Sequence, residues 1–478
     1  MGDHDRVVRE DPQFGRLDCG VTRPSAAGEK ADEPRRVSAP TNAHGVASAD
    51  RPSRAAWIVA LRRTPIFRGS VWILGATVAT ALGGAVFWLV AARLEPAADV
   101  GHAAALLSSS NFIIYLTALG LPIAVMRFGG FHTHESRILF NWALVLTAGS
   151  SGIAAGCYLL LVGDHARVFA GFGPVGALVA FAVITAGVSV SLLVDTRLIV
   201  QRHWSWVFVR ASVTAVIRIP LLLLFPAARS PVGLFVLASG IPAATGVFLW
   251  WLTTPRQWRY TLRPLPHHAR EAARYSAVNY VAGLAGQGAT YAIPVVVLLT
   301  VSARQNAQFF LAWSIMLVVA LLPASVAHVF MAEGFLEDIG RTQTLRALAL
   351  AEALAVSAFV VAAGGAGFVS SAFGPQYGQV AELLPVLIAS IIPGAVVMIA
   401  LSYARLIDST RALFGITGCL ALTAMVVCIP LAKAGGIVGV SQGWLISQCV
   451  TGLVAGIWLV TRIRSAGVAP ASEESGRG

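Results

Sequence analysis

Apolar runs of about 20 residues recur along the chain from residue 69 onward, separated by short polar stretches. A helix rises about 1.5 Å per residue, so each run can cross a hydrocarbon layer of about 30 Å. Because open sheet edges cannot face lipid and the runs lack the alternation of barrel strands, each is predicted to be a helix. The twelve runs are at residues 69–91, 103–125, 139–162, 174–194, 206–226, 231–252, 275–299, 307–330, 346–366, 382–403, 412–431 and 437–460.

Composition excludes a soluble protein, since 56% of the residues are hydrophobic, 12% are charged and the mean hydropathy is +0.72. The sequence therefore predicts an all-α polytopic membrane protein with about twelve transmembrane helices. Basic residues in short loops stay on the cytoplasmic side. One set of loops is rich in arginine, whereas the alternate loops hold only Arg93, Arg167, Arg229, Arg304 and Lys433. This asymmetry predicts a multi-pass protein of the inner (plasma) membrane with both termini cytoplasmic.

The net charge of +12 is explained by this topology and by affinity for anionic lipid headgroups. Membrane lipids are therefore expected partners, and nucleic acid is not. The five cysteines show no CxxC or Cys/His spacing, and no metal or cofactor is expected. A phosphate loop of the GxxxxGK[ST] type is absent, which argues against an ATP-driven pump.

Short motifs recur in the same order in the two halves of the chain. FGP, TRLI, IPL and WWL begin at residues 172, 196, 219 and 250, and FGP, ARLI, IPL and IWL begin at residues 373, 404, 429 and 457. The offset between copies stays between 201 and 210 residues, which indicates duplication. Six spans per half is an even number, so two parallel six-helix lobes are predicted. Such repeats are typical of transporters that rock two bundles around a central site.

This organisation predicts five segments. A disordered cytoplasmic tail precedes the first lobe, a basic cytoplasmic linker joins the lobes, and a second tail ends the chain. In order, the segments are residues 1–55, 56–252, 253–274, 275–462 and 463–478.

Two arginines in the fifth span are unusual, because a charged residue at the bilayer centre costs about 2.5 to 3.5 kcal/mol on insertion scales. Arg210, Thr214 and Arg218 are spaced four residues apart and so form one polar stripe. We expect the stripe to face the cavity and bind the diphosphate of a lipid carrier, since guanidinium donates paired bonds to phosphate. The alternatives are snorkelling, for Arg210, and an internal ion pair with an acid such as Glu352, for Arg218.

A second polar stripe runs along the seventh span, where Asn279 and Gln287 alternate with Gly283 at four-residue spacing. These side chains could line the cavity and bond sugar hydroxyls, or they could bond neighbouring helices. Glu352 is the candidate for cation coupling, because a carboxylate within a span can titrate or bind Na⁺; structural pairing is its other interpretation.

Residues 89–128 resemble the opening of bacterial polysaccharide-export flippases, which share a superfamily with multidrug and toxin extruders and lipid II flippases. FGPQYGQVAELLPVL and GGIVGVSQGWLISQ, which begin at residues 373 and 435, resemble the same family. The first stretch carries the matching residues Arg93, Leu94, Pro96, Asp99, Gly101, Leu119, Gly120, Leu121 and Arg127.

The resemblance implies two six-helix lobes facing each other across a V-shaped cavity, to which Arg127 would contribute. It also implies that the protein is a flippase moving polyprenyl-diphosphate-linked saccharides outward by alternating access, with polysaccharide-assembly enzymes as candidate partners. A cation-coupled multidrug exporter of the same superfamily is the alternative. A membrane glycosyltransferase or polymerase is disfavoured, because the longest external loop, residues 367–381, holds no acid, base or His. We therefore expect no catalytic residue.

Overall fold

A computed structural model of the chain describes residues 65–128, 134–161, 173–255, 269–334 and 340–466. Within these ranges, some side chains are not described, including those of Arg127, Asn279 and Gln287. The predicted tail at residues 1–55 and the central part of the predicted linker, residues 256–268, also lie outside the described residues.

Helices fill the first half of the described chain. A 3-10 turn at Pro226–Arg229 follows the sixth helix, and a π turn at Val236–Gly240 joins the seventh to the eighth. The helices are α1 (Pro65–Leu94), α2 (Ala97–Thr117), α3 (Leu121–Phe128), α4 (His134–Leu161), α5 (Gly173–Val200), α6 (Trp204–Leu224), α7 (Pro231–Phe235) and α8 (Ile241–Thr253).

The second half is also helical, with a 3-10 turn at Pro375–Tyr377. Its helices are α9 (Ala269–Thr300), α10 (Ala303–Gly334), α11 (Arg341–Phe373), α12 (Val380–Ala389), α13 (Ile391–Leu406) and α14 (Thr410–Ala466).

In the described part of the chain, nine helices are long and apolar enough to cross a membrane. One of them, Thr410–Arg464, contains two predicted spans, because Gly436 with φ +56° breaks its helical path. The more polar helices α2 and α9 supply the other two predicted spans. The prediction of an all-α, twelve-helix membrane protein is confirmed.

Helix bounds differ from the predicted ones in three places. The second span is interrupted at Leu119 and Gly120, both with positive φ, so α3 leaves in a new direction. The tenth span divides at Ser390 into α12 and α13. Helix α9 begins at Ala269, inside the predicted linker, because residues 269–274 have good helix formers that continue the pattern of the seventh span.

Small residues lie at several points where two helices of the bundle approach each other closely. A Cβ added at Gly187 would come within 2.9 Å of the Cβ of Ala243, and one at Gly452 would come equally close to Pro393. Between α1 and α6, Gly83 faces Ala215 in the same manner. In lipid, where burial of apolar surface drives little association, such close approach is what holds helices together.

Helix α2 lies at the centre of the fold, and most of its residues are buried. On one side, a chain of hydroxyls ties it to the first half: Thr117 bonds Ser151 at 2.6 Å, and Ser151 bonds Ser189 on α5 at 2.7 Å. On another side it packs against α9 and α10 of the second half. There Gly101 contacts the backbone of Ala303 so closely that no side chain fits. Helix α2 is thus shared by the two halves.

We predict that Gly83→Ala destabilises the packing of α1 on α6. The new methyl would lie 2.9 Å from the Cα of Ala215 and nearer still to its Cβ, and such overpacking costs about 1 to 3 kcal/mol. Gly84→Ala is the matched control, because a Cβ there meets nothing within 4 Å and both changes improve helix propensity. Thermal unfolding of the purified proteins should show a lower midpoint for Gly83→Ala alone; equal midpoints would contradict this packing.

Candidate functional site

A cavity of about 580 Å³ lies between the two halves. It is lined by α1, α2, α9 and α10, with Phe373 from the end of α11. The contributions of α1 include Thr80, Gly84 and Trp88, which are spaced four residues apart and so share one face of that helix. The cavity is therefore a product of both halves.

The lining of this central cavity is aromatic, aliphatic and neutral. Its aromatic residues are Trp88, Tyr291, Phe310, Trp313 and Phe373. Its polar residues, which can donate and accept hydrogen bonds, are Thr80, Ser108, Asn111, Thr290, Tyr291 and Ser314. Among the described lining residues none is ionisable at neutral pH. This combination suits a ligand with both apolar surface and hydroxyl or amide groups.

Hydrogen bonds join the two halves near the N-terminus of α2. Arg93 donates to the carbonyl of Ala372 and, at 2.9 Å, to that of Ser371, both in the last turn of α11. A cation is favourable there, since the carbonyl end of a helix carries partial negative charge. Asn306 on α10 donates to the carbonyl of Gly101 at 3.0 Å, inside α2.

The opposite end of α2 is also bonded to the second half. The hydroxyls of Ser276 and Tyr280, both on α9, donate at 2.5 Å to the carbonyls of Leu119 and Leu116. These carbonyls lie at the C-terminal end of α2. The last four carbonyls of a helix have no hydrogen-bond partner within that helix. Contacts on both sides of the central cavity thus fix α2 against the second half.

The polar stripe of the seventh span lies on α9, which borders the central cavity. Tyr291 lines the cavity and stacks on Tyr115 of α2, with ring centroids 4.7 Å apart. The hydroxyl of Tyr115 also donates a hydrogen bond to the carbonyl of Gly283. The side chains of Asn279 and Gln287, predicted to line the cavity, lie outside the described residues, as does that of Arg127.

Arg210 is bound to Asp195 of α5. Its Nε donates to Asp195 Oδ1 at 2.9 Å, and its Nη2 donates to Asp195 Oδ2, so the pair is bidentate. Only 14% of the Arg210 side chain and 18% of the Asp195 side chain are exposed. Asp195 is not among the predicted site residues, although a carboxylate within a span is itself a signal for a buried partner.

Arg218 is buried, with 6% of its surface exposed, and lies between α6 and α1. Its Nε donates to the carbonyl of Thr214 at 2.9 Å, and its guanidinium lies 5.7 Å from the centroid of the Phe87 ring. Thr214 is buried as well and shares a 3.3 Å hydroxyl contact with Thr245 of α8. The described lining of the central cavity includes none of Arg210, Thr214 and Arg218; the stripe faces neighbouring helices of the first half.

Glu352 lies on α11 and is half-buried. Its Oε1 is shielded from solvent and has no hydrogen-bond partner among the described residues. The described contacts of Arg218 are with Thr214 and Phe87, and they do not include the ion pair with Glu352 that was the alternative interpretation of this arginine.

The neutral residues that line the central cavity on α1, α2 and α10, such as Trp88, Asn111 and Trp313, are not among the residues predicted from the sequence. One signal was available: Thr80, Gly84 and Trp88 interrupt an apolar span at four-residue spacing. For Asn111 and Trp313, the sequence carries no signal, since single neutral residues within a span are equally compatible with helix packing.

We predict that the Arg210–Asp195 pair stabilises the first half, and that Asp195→Asn lowers the free energy of unfolding by about 3 kcal/mol, because a buried cation loses its counter-charge. Replacing both residues, as Asp195→Leu with Arg210→Met, should recover most of the loss. Thermal unfolding of the purified variants measures both effects. If Asp195→Asn were as stable as the natural chain, the pair would have no structural role.

No protein-family model matches the sequence, and no curated protein matches it. Solved structures with a similar fold do exist. An inward-facing multidrug resistance MATE family transporter of the MOP superfamily has a TM-score of 0.63 at 15% sequence identity, covering 82% of this chain and 96% of that one. An outward-facing transporter of the same description has a TM-score of 0.55 at 18% identity, covering 85% and 97%.

The lipid II flippase MurJ, in an inward closed conformation, has a TM-score of 0.64 at 13% identity and covers 82% of this chain and 87% of its own. These similarities concern the fold. The chain has the fold of MOP-superfamily transporters.

Proposed function

We propose that the protein is an alternating-access flippase that moves lipid-linked saccharides from the cytoplasmic to the outer leaflet, with the saccharide in the central cavity. The observation that carries this proposal is the lining of that cavity, in which aromatic rings and neutral hydrogen-bonding groups occur together and the described residues include no charge. The fold, shared with transporters and flippases of the MOP superfamily, is compatible with it.

The chemistry of a saccharide matches this lining. Each sugar ring has hydroxyls, which both donate and accept, and Asn111, Ser108 and Ser314 can do the same. The C–H faces of a sugar are apolar and can pack on the flat rings of Trp88 and Trp313. The few polar groups would orient the saccharide in the cavity, and the apolar area would supply most of its binding affinity.

The diphosphate of the carrier lipid requires cations. Arg127 and Arg218 remain the proposed candidates from the sequence, together with Asn279 and Gln287 for the saccharide. Arg218 is buried against Phe87 and does not line the central cavity as described, so binding a ligand there would require α1 or α6 to move. Glu352 remains the proposed coupling residue, since a carboxylate oxygen shielded from water and without a described partner would be a candidate to take up a cation or a proton.

The proposed setting is the inner membrane, with both termini cytoplasmic and polysaccharide-assembly enzymes as partners. The step proposed is transport and involves no change in a covalent bond of the substrate.

A multidrug exporter is the second candidate, favoured by the aromatic part of the lining. Trp88 and Trp313 could attract an organic cation through their ring faces. Against it, the described lining residues offer no carboxylate to neutralise such a cation.

We predict that the purified protein in liposomes translocates a polyprenyl-diphosphate-linked oligosaccharide, and that Asn111→Leu lowers the rate about tenfold or more. A sugar hydroxyl enclosed in the cavity would lose its hydrogen-bond partner, which costs about 1 to 3 kcal/mol. Ser357→Leu is the control, since Ser357 is exposed on α11 and is not among the described lining residues.

Both variants must show the unfolding midpoint of the natural chain for the comparison to be valid. If the natural chain translocates lipophilic organic cations and not the saccharide, the exporter function replaces the flippase function. If it translocates the saccharide and Asn111→Leu does so equally fast, the saccharide does not use this cavity.

A further inference from the structure

The first turn of α2 receives a hydrogen-bond acceptor from the second half of the chain. Helix α2 begins at Ala97 after Pro96, which provides no side-chain cap. The N–H of Ala97 instead donates at 2.9 Å to Oε1 of Gln376, which lies in the 3-10 turn after α11. Because the first N–H groups of a helix have no partner within it, this bond caps α2 from the other half.

The carbonyl end of α11 is capped in return by the first half. Arg93, near the end of α1, donates to the carbonyls of Ala372 and Ser371. The last carbonyls of a helix have no partner within it and carry partial negative charge, so a cation there is favourable. Each half thus supplies a cap to a helix of the other. We call the three hydrogen bonds made by Arg93 and Gln376 the latch.

The latch lies beside the central cavity. Phe373, which lines that cavity, is the last residue of α11, and Trp88, another lining residue, precedes Arg93 on α1. The turn after α11 is also held by α10, where Oε1 of Gln308 accepts from the N–H of Gln379 at 3.1 Å. Both sides of the latch belong to loops that the distribution of basic residues predicts to be external.

We propose that the latch is the external gate of the central cavity, and that the end of α11 and its following turn separate from the start of α2 to release the substrate. The proposal rests on the proposed function, since a gate needs a substrate that passes it. In this conformation the latch is closed, because all three hydrogen bonds are formed.

The surroundings of the latch favour a contact that opens over a permanent one. Arg93 and Gln376 are exposed, so water can replace their hydrogen bonds when the halves separate. Tyr377, in the same turn, is fully buried, and its hydroxyl has no hydrogen-bond partner among the described residues. A buried polar group without a partner raises the free energy of the closed state. Movement of the turn away from α2 would give water access to this hydroxyl and offset part of the lost bonds.

Opening of the latch can be measured without a substrate. Ala97 is fully buried, so a cysteine placed there should react with a water-soluble maleimide only when the latch opens. The full-length protein is used, with its five natural cysteines replaced. We expect Arg93→Gln to raise the labelling rate about tenfold or more, because two charge-assisted bonds stabilise the closed state. Tyr377→Phe should lower the rate, because the closed state then buries no unpaired hydroxyl.

Arg229→Gln is the matched control for the labelling experiment. Arg229 also donates to carbonyls at the end of a helix, those of Leu222 and Leu223 of α6, but all three residues belong to the first half. Its loss should leave the labelling rate at Ala97→Cys unchanged. All rates are measured well below the unfolding midpoint of each variant, so that they report opening of the latch and not unfolding.

A reversible cross-link tests whether the latch must open for transport. Arg93→Cys and Ser371→Cys are exposed positions, and a bis-methanethiosulfonate reagent with a spacer as long as an arginine side chain can join them. In liposomes, the cross-link should abolish translocation of the polyprenyl-diphosphate-linked oligosaccharide, and a reductant should restore it. The control pair, Ala227→Cys with Ser230→Cys, is also exposed but lies within the first half, so its cross-link should not slow translocation.

The proposal is overturned if the labelling rate is the same in the natural background, in Arg93→Gln and in Tyr377→Phe, or if Arg229→Gln raises it as much as Arg93→Gln. It is also overturned if the cross-linked latch translocates the saccharide as fast as the reduced form. If the chain without a cross-link translocates no saccharide, the proposed function fails, and the labelling rates alone then decide whether the latch opens.

Discussion

Inside a bilayer the lipid tails are as apolar as leucine, so helices associate through close packing and hydrogen bonds rather than through the exclusion of water. Helix α2 shows this constraint most fully. Its small residues allow backbone contact with α10 at Gly101 and Ala303, and its hydroxyls bond α4 and α5 through Thr117 and Ser151. Because the same helix is bonded to both halves, it fixes the distance between them, and that distance defines the central cavity.

The two arginines of the fifth predicted span are compensated in different ways. Arg210 is neutralised by Asp195, and Arg218 lies against the ring of Phe87 with one bond to a carbonyl. In both cases the guanidinium interacts with a group that compensates part of its desolvation. The pairing of Arg210 with Asp195 shows why a polar stripe within a span is weak evidence for a cavity: a buried partner on the next helix explains it equally well.

The central cavity lies between the halves, and its neutral aromatic lining limits what it can bind. Its rings and aliphatic side chains offer apolar surface, and Asn111, Ser108 and Ser314 offer hydrogen-bond donors and acceptors. Under the proposed function, the saccharide occupies this cavity, and rocking of the two halves would open it to either side of the membrane.

The sequence by itself determined the class, the number and order of the membrane spans and most of their bounds, because the length and hydropathy of each span are local properties. The break at Gly120 falls inside a predicted span, and Gly436 falls between two predicted spans; the positive φ of both glycines appears only in the fold. The tertiary structure alone decided which polar residues meet. Asn111, Tyr291 and Trp313 lie on three helices, and Arg210 and Asp195 are 15 residues apart on two more. The rotation of each helix about its axis is set by packing against its neighbours, and a single sequence has no information on it beyond small-residue stripes.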